Sequence, residues 1–300
     1  MNAVPLEALV LDRLLGEPPS RVHPVVWMGR YCARAGARLS GVRGATAQTF
    51  AGGAAVAAGC VMVGVAVVGL DRWLGHLPNR LRPTLEAAVL STLLSMRMLE
   101  REVLAVEGAL RTEAGDLAAA RRAVARLVSR DVTHLDGAQV RQAALESLAE
   151  NTSDSIVAPL WWYAVAGLPG AAVYRFVNTT DAMWGYRTPA WEWRGKAAAR
   201  MDDIANWVPA RLTALLLCAG PDLRSLAGAA AATPSPNAGW PIAALALRLG
   251  IQLSKPGVYV MHPPGRAPQE SDVIAAVSAV RAVAAIAATA CAVLTDRERR

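Results

Sequence analysis

The chain has 300 residues, of which 54% are hydrophobic and 18% charged, and its net charge is +7. A mean hydropathy of +0.28 and a high Ala, Val and Leu content favour a multi-pass helical membrane protein over an Ala-rich soluble helical one. The basic balance suits a nucleic-acid partner, but the chain has no aromatic-plus-basic RNA-binding motif, so we expect none.

The first predicted element is a membrane-spanning helix over residues 51–70, which carry no charged side chain. A spanning helix needs about 20 mostly apolar residues. Residues 273–294, near the other end of the chain, meet the same requirement and are interrupted only by Arg281. We therefore expect an all-α polytopic membrane protein.

Amphipathic helices are predicted between residues 97 and 150, where apolar residues recur at helical spacing and the other faces carry Arg, Glu and Asp. Asp116 is a candidate N-cap, and a further helix is expected from Asp136 to Glu150. We expect this part to lie outside the membrane, packed on the bundle of one integral membrane domain covering residues 1–300.

A broken or re-entrant helix is predicted over residues 155–173, which are uncharged but contain Pro159, Gly167, Pro169 and Gly170. Basic residues within 97–141 and 187–211 place both flanks on the cytoplasmic side, which requires the segment to dip in and return. We expect a multi-pass protein of the cell inner membrane with its active site facing the cytoplasm.

Acidic and amide side chains precede this segment. On a continuous helix Glu146, Glu150 and Asp154 would lie on one face, beside Asn151. Three carboxylates on one stripe repel one another unless a cation lies among them, and oxygen ligands suit Mg²⁺. A solvated helix end capped by Asn151 or Thr152 is the alternative.

Two further polar clusters follow. Asn178 and Asp181 belong to the first, while Asp202 and Asp203 stand before an apolar segment. The acids are candidates for a second part of a metal site, or for a helix N-terminus that favours negative charge. Nearby cations are either phosphate-binding groups or signals of membrane topology: Arg187, Arg194, Lys196, Arg200 and Arg211. Nearby tryptophans, Trp184 among them, are typical of an interfacial belt.

Two loop regions complete the candidates. His23 lies between prolines, in a position that suits a general base or a substrate contact. Residues 221–248 are rich in Pro, Gly and Ser and are expected to be irregular, with Ser235 and Asn237 in a rigid turn that could bind substrate. The common phosphate-binding motifs are absent from the sequence, so any nucleotide chemistry uses a different kind of site.

Over nearly its whole length the chain resembles the adenosylcobinamide-phosphate synthases of cobalamin biosynthesis. The resemblance is carried by several strings in the right order: Gly16-Glu17-Pro18 with His23-Pro24-Val25, Arg130-Asp131, Glu146 through Asp154, Asn178-Thr179-Thr180-Asp181-Ala182-Met183-Trp184-Gly185-Tyr186, Gly195 through Asp203 with Asn206-Trp207, and Ser235-Pro236-Asn237-Ala238-Gly239-Trp240-Pro241.

The resemblance implies a polytopic membrane ligase. It would use ATP and Mg²⁺ to join aminopropanol phosphate, or a related amino alcohol, to the free propionate carboxylate of adenosylcobyric acid. The product would be adenosylcobinamide phosphate. The implied partners are these substrates and the lipid bilayer, with a homo-oligomer or other cobalamin-assembly enzymes as further partners.

On this reading the catalytic candidates are Glu150, Asp154, Asp181, Asp202 and His23. The metal ligands would come from Glu150, Asp154, Asp181, Asp202 and Asp203, and the substrate contacts from Asn151, Asn178, Lys196, Arg200, Arg211, Ser235 and Asn237. The rival readings are a membrane transporter and a non-catalytic membrane anchor for corrinoid enzymes. A transporter would place its acids near the bilayer midplane, whereas these acids lie at segment ends.

Overall fold

The computed structural model describes residues 2–111, 116–218 and 223–297. The elements, in chain order, are α1 (Val4–Leu15), α2 (Pro24–Leu39), α3 (Ala45–Gly75), α4 (Arg82–Ser91), α5 (Met96–Leu110), α6 (Leu117–Val124), α7 (Gly137–Thr152), the π-helix π1 (Ser153–Val157), α8 (Ala158–Trp184), α9 (Lys196–Ala205), α10 (Trp207–Cys218), α11 (Leu223–Ala230), α12 (Gly239–Leu249), β1 (Leu253–Lys255), β2 (Tyr259–Met261) and α13 (Glu270–Arg297). The predicted all-α class is confirmed, with one short antiparallel hairpin, β1–β2, in the described part.

Three helical segments within the described ranges are long and apolar enough to cross a membrane: Ala45–Gly75, Gly137–Trp184 and Glu270–Asp296. The first and the last contain the two predicted spans at residues 51–70 and 273–294. The middle segment runs from α7 through π1 into α8 and is helical up to Val165, so residues predicted as an extramembrane helix are continuous with an apolar one.

The predicted helix break is confirmed at Ala166 and Gly167. Gly167 adopts φ +63° and ψ −161°, a conformation that a side chain would strain, and it frees the backbone just before Pro169. Pro159, by contrast, directly follows the π-helical turn π1, and the chain stays helical through it. The break therefore comes from Gly167 and not from the first proline.

The described chain divides into two compact units. Unit 1 comprises Met1–Ser95, Ala158–Asn206 and Ala287–Arg300, and unit 2 comprises Met96–Val157 and Trp207–Ile286. The expectation of one integral membrane domain stays a prediction.

Unit 1 is built around α8, which packs against α2, α3 and α9. Helix α3 approaches α8 closely because Gly59 lies against the ring of Phe176, where a Cβ atom would collide. Tyr31 of α2 meets the same ring edge-on, with 5.6 Å between centroids. Trp184 is 1% exposed and stacks on Trp191, so its ring packs within the protein, while its expected interfacial position stays a prediction.

Unit 2 has a hydrophobic core made by α5, α6 and α7, with Val106, Val124 and Val140 at its centre. The predicted N-cap at Asp116 and the predicted helix start at Asp136 are confirmed. Asp116 accepts a hydrogen bond from Ala119 N at 2.7 Å, and Asp136 and Gln139 form a reciprocal capping box at the start of α7.

The expectation of an irregular segment over residues 221–248 is wrong for its described part, which contains α11 and most of α12. Pro and Gly end a helix when they lie inside it, but Gly239 and Pro241 stand in the first turn of α12, where both are tolerated. Residues 221 and 222 lie outside the described residues.

Candidate functional site

A chain of polar contacts runs through unit 1 and begins at the N-terminus of α2. His23 caps this helix, with its Nδ1 accepting a hydrogen bond from Val25 N at 3.2 Å. The Nε2 atom therefore carries the ring proton and donates to the Glu17 carboxylate. Burial raises the pKa of Glu17, but the hydrogen bonds from His23 and Ser95 and the charge of Arg175 outweigh it and hold that pKa below its ordinary value.

Arg175 of α8 continues this polar chain toward α9. Its Nη2 donates to Ser95 Oγ at 3.2 Å, and its Nη1 donates to Asn178 Oδ1 at 3.1 Å. The Asn178 amide in turn donates to Asp202 Oδ1 at 3.3 Å. Since α8 places Arg175 and Asn178 one turn apart, a single helix face connects the first helices with the acidic pair of α9.

Asp202 ends the chain of contacts and is also held from its other side. Tyr174 Oη donates to Asn206 Oδ1 at 2.8 Å, and the Asn206 side chain is a hydrogen-bond partner of Asp202. Burial, together with the charge of Asp203, raises the pKa of Asp202 to about 6, although the hydrogen bonds from Asn206 and Asn178 and the charge of Arg175 oppose the shift. We call the set Glu17, His23, Ser95, Tyr174, Arg175, Asn178, Asp202 and Asn206 the buried polar network.

A cationic cleft of about 260 Å³ lies beside this network in unit 1. It is lined by Arg187, Lys196 and Arg200 together with Asp203. Arg200 Nη1 lies 3.5 Å from Asp203 Oδ2, and Lys196 Nζ lies over the Trp193 ring at 4.2 Å. Burial raises the pKa of Asp203, and the charges of Arg200 and Arg187 oppose the shift. Three cations around one cleft form an arrangement that attracts phosphate groups.

A second polar cavity, of about 150 Å³, belongs entirely to unit 2. We call it the hairpin cavity, because Lys255 and Tyr259 of the β1–β2 hairpin line it together with Arg130, Glu146 and Glu150. Arg130 Nη2 donates to Glu146 Oε2 at 2.7 Å. Burial raises the pKa of Tyr259 above its ordinary value, and the carboxylates of Glu146 and Glu150 add to the shift.

The remaining predicted residues of unit 2 make contacts within the unit. The Asn151 amide donates to Ser147 O at 3.0 Å, one turn back along α7. Asp154 lies in π1, whose wider turn ends the α-helical spacing on which the predicted stripe of three acids depends.

Arg211, Asn237 and Ser235 are brought together, as their substrate-binding assignment requires, but they also hold one another. Arg211 Nη1 donates to Asn237 Oδ1 at 3.1 Å and to Trp207 O at 2.8 Å, and its guanidinium lies over two indole rings. Ser235 Oγ accepts from Ala238 N at 3.1 Å and so fixes the turn before α12. These contacts give the three residues a structural role, while their role toward substrate stays a prediction.

Unit 1 thus gathers the predicted His23, Asn178, Asp202, Lys196, Arg200 and Asp203, and Asp181 lies one turn beyond Asn178 on α8. Sequence reasoning missed Glu17, Ser95, Tyr174 and Arg175 in the network, as well as Arg130, Lys255 and Tyr259 in the hairpin cavity. Arg175 is the only charged residue between Asp154 and Asp181, and this isolation was the signal that could have found it.

Within the described ranges, no group of three or more His, Cys, Asp or Glu side chains is arranged to hold a metal ion. Mg²⁺ in phosphoryl-transfer sites is commonly held by one or two carboxylates and by the phosphates of the substrate. Asp202 and Asp203, beside a cationic cleft, offer this smaller set of ligands. The larger predicted set, with Glu150, Asp154 and Asp181, stays a prediction.

The fold and the two polar sites define a helical protein with apolar segments of membrane-spanning length. Residues 5–288 match the model of the CobD/Cbib protein family. The chain is 41% identical over 272 residues to the probable cobalamin biosynthesis protein CobD of Pyrococcus abyssi, covering 90% of this chain and 88% of that protein.

Bacterial and other archaeal relatives give the same picture. The cobalamin biosynthesis protein CobD of Rhizobium meliloti is 38% identical over 317 residues, covering 96% of this chain and 93% of the relative. The probable CobD of Methanothermobacter thermautotrophicus is 39% identical, with 87% of each chain covered. This chain belongs to the CobD/Cbib family and has a role in cobalamin biosynthesis. No solved structure gives a significant match.

Proposed function

We propose that this chain is an ATP-dependent amide ligase that joins adenosylcobyric acid to aminopropanol phosphate. The carboxylate oxygen of the corrinoid would attack the γ-phosphorus of ATP, giving an acyl phosphate and ADP. The amine nitrogen would then attack the acyl carbon, lose a proton and release inorganic phosphate. The products are the amide, ADP and phosphate.

The single observation that carries this proposal is the buried polar network, which joins three separated sequence strings and ends at Asp202 beside the cationic cleft. Such a polar network is costly to bury in an apolar helical unit unless it serves a purpose. The relatives named as cobalamin biosynthesis proteins support a corrinoid purpose for it.

The cationic cleft is assigned to the phosphates of the nucleotide, because a volume of about 260 Å³ does not hold the whole of ATP. Arg187, Lys196 and Arg200 would neutralise the negative charge that phosphates carry into it and that increases during transfer. Asp202 and Asp203 would hold Mg²⁺, which supplies Lewis-acid polarisation of the phosphoryl group when bound. His23 is assigned to orient the Glu17 carboxylate, because both of its ring nitrogens are already engaged, Nδ1 with Val25 N and Nε2 with Glu17.

The corrinoid ring would remain outside this cleft. A volume of about 260 Å³ lies below the range of roughly 300–1,000 Å³ that drug-sized ligands occupy, and a corrinoid is larger than these. Only the propionate side chain would enter, while the ring would lie on the surface around it. Since ATP is a cytoplasmic substrate, we further propose that the cleft faces the cytoplasm.

The proposal is tested with protein purified in detergent and supplied with adenosylcobyric acid, aminopropanol phosphate and Mg-ATP. Mass spectrometry should detect adenosylcobinamide phosphate, dependent on ATP, and Asp202→Asn should lower its rate of formation about 100-fold or more, because one metal-holding carboxylate is lost.

Glu102→Gln is the matched control, since Glu102 is a carboxylate of unit 2 that pairs with Arg126 and does not belong to the network. It should retain the wild-type rate. Folded wild-type protein that forms no amide with any amino alcohol would overturn the ligase proposal in favour of a transporter or an anchor.

A further inference from the structure

The hairpin cavity of unit 2 combines groups of both signs around a small volume. Arg130 and Lys255 supply positive charge, Glu146 and Glu150 supply negative charge, and all four line the same space of about 150 Å³. A volume well below that of a drug-sized ligand suits a small molecule of a few to about ten non-hydrogen atoms. The mixture of charges suits a molecule that itself carries both signs.

The two hairpin residues are placed side by side by the register of the strands. Lys255 of β1 pairs directly with Tyr259 of β2, so their side chains leave the same face of the hairpin. The hairpin is fastened to α7 by the hydrogen bond from Ser254 Oγ to Gln142 Oε1, at 2.7 Å. The Lys255 ammonium and the Tyr259 hydroxyl therefore lie side by side on a hairpin that is hydrogen-bonded to α7.

Helix α7 supplies the opposite charge. Glu146 and Glu150 are one turn apart and both reach the hairpin cavity. Glu146 is 5% exposed, and it receives one hydrogen bond from Arg130.

Arg130 has hydrogen-bonding capacity left over. Its side chain is 14% exposed, and only Nη2 reaches Glu146. The other two nitrogens, Nε and Nη1, are buried without a hydrogen-bond partner among the described residues, and so is Glu146 Oε1. Buried donors and acceptors left unpaired are costly, and a polar ligand would satisfy them.

We propose that the hairpin cavity binds a small phosphate monoester that carries an ammonium group, namely the amine substrate. The phosphate contacts Arg130 and Lys255, and the ammonium contacts Glu150. This inference rests on the proposed function for the identity of the ligand, and it assigns to that ligand residues outside the cationic cleft.

Direct binding experiments test this inference without the chemical step. Wild-type protein in detergent, with neither ATP nor corrinoid present, is titrated calorimetrically with 1-amino-2-propanol O-phosphate, with isopropyl phosphate and with 1-amino-2-propanol. Saturable binding is expected for the first ligand and binding at least about tenfold weaker for the other two, because each lacks one charged contact.

Two variants separate the two ends of the ligand. Lys255→Gln should weaken the aminopropanol phosphate and isopropyl phosphate complexes alike, by about tenfold. Glu150→Gln should weaken binding of the two ligands that carry the ammonium, aminopropanol phosphate and 1-amino-2-propanol, and leave isopropyl phosphate binding unchanged. Arg126→Gln is the control, since this exposed arginine lies four residues before Arg130 and pairs with Glu102 outside the cavity. It should bind all three ligands as wild type does.

Several outcomes would overturn the inference: wild-type affinity in both Lys255→Gln and Arg130→Gln, absence of saturable binding in the wild type, or displacement of aminopropanol phosphate by ATP or inorganic phosphate at equal concentration. Ligand binding with the expected variant pattern in a protein that forms no amide would refute the proposed function and leave the site standing. Amide formation with an unchanged KM for the amine in Lys255→Gln would refute the site and leave the proposed function standing.

Discussion

At the scale of single residues, the pKa values of the two carboxylates of the buried polar network are shifted in opposite directions, down for Glu17 and up for Asp202. Glu17 receives donors from His23 and Ser95, which favour its charged form, whereas burial of Asp202 next to Asp203 favours the neutral form. Neither effect follows from the sequence alone, because the burial of both groups and the contacts of Glu17 with Ser95 and of Asp202 with Asn178 depend on long-range packing. The strings that contain the two residues were nevertheless found from the sequence.

The pKa of about 6 for Asp202 makes stability depend on pH. In the unfolded chain an Asp titrates near pH ~4, so between about pH 4 and 6 the folded protein binds more protons than the unfolded one. Stability contributed by this group therefore falls as pH rises through that window. Without Mg²⁺ or ATP, the melting temperature of Asp202→Asn relative to wild type should increase from pH 4 to pH 7.

Scanning fluorimetry in detergent measures this difference. Asp131→Asn is a suitable control, because hydrogen bonds from the backbone and side chain of Thr133 lower the pKa of the exposed Asp131 carboxyl. Its melting-temperature difference should not rise over the same range. A melting-temperature difference between Asp202→Asn and wild type that stays constant with pH would refute the expected titration.

At the scale of elements, sequence patterns predicted the regular helices, but they did not predict the π-helical turn or the helix that begins with Gly and Pro. The apolar periodicity predicted α5, α6 and α7, with Asp116 as the cap of α6, and the long apolar runs predicted α3 and α13. Gly and Pro were read as signs of irregular structure in 221–248, although their place in a first helical turn is compatible with α12. The π1 turn left no sign in the sequence, because its width depends on packing.

The contact between α3 and α8 gives a prediction with an internal control. Gly59→Ala should lower the melting temperature, because the new methyl group collides with the Phe176 ring and overpacking costs about 1–3 kcal/mol. Gly69→Ala on the same helix should have little effect, since nothing lies within 4 Å of a Cβ there. Equal melting temperatures for the two variants would refute the close packing of α3 on α8.

At the scale of the whole molecule, composition predicted the membrane class, and the family relation predicted the biosynthetic role. From the sequence, only the family resemblance indicated that the separate strings belong to one functional site. It did not reveal that Glu150 and Asp154 belong to one compact unit and Asp181 and Asp202 to the other. That division depends on long-range contacts, which local periodicity does not record.

The proposed cytoplasmic orientation of the cationic cleft is tested through Arg187, an exposed residue at its edge. Arg187→Cys should react with a membrane-impermeant maleimide in inverted membrane vesicles and resist it in intact spheroplasts, because the reagent reaches the cytoplasmic face only in the former. The same protein with Arg187 retained corrects for the native cysteines. Reaction in spheroplasts would refute the orientation.

The composition of unit 1 has a consequence for the order of events during synthesis. Asn2 of this unit donates from its backbone to Ala292 O at 3.2 Å and from its side chain to Thr295 Oγ1 at 3.0 Å. A ribosome releases the segment around Asn2 first and that around Thr295 nearly three hundred residues later. The unit that carries the buried polar network therefore cannot close until the residues around Thr295 have been synthesised, and until then its first helices lack these contacts.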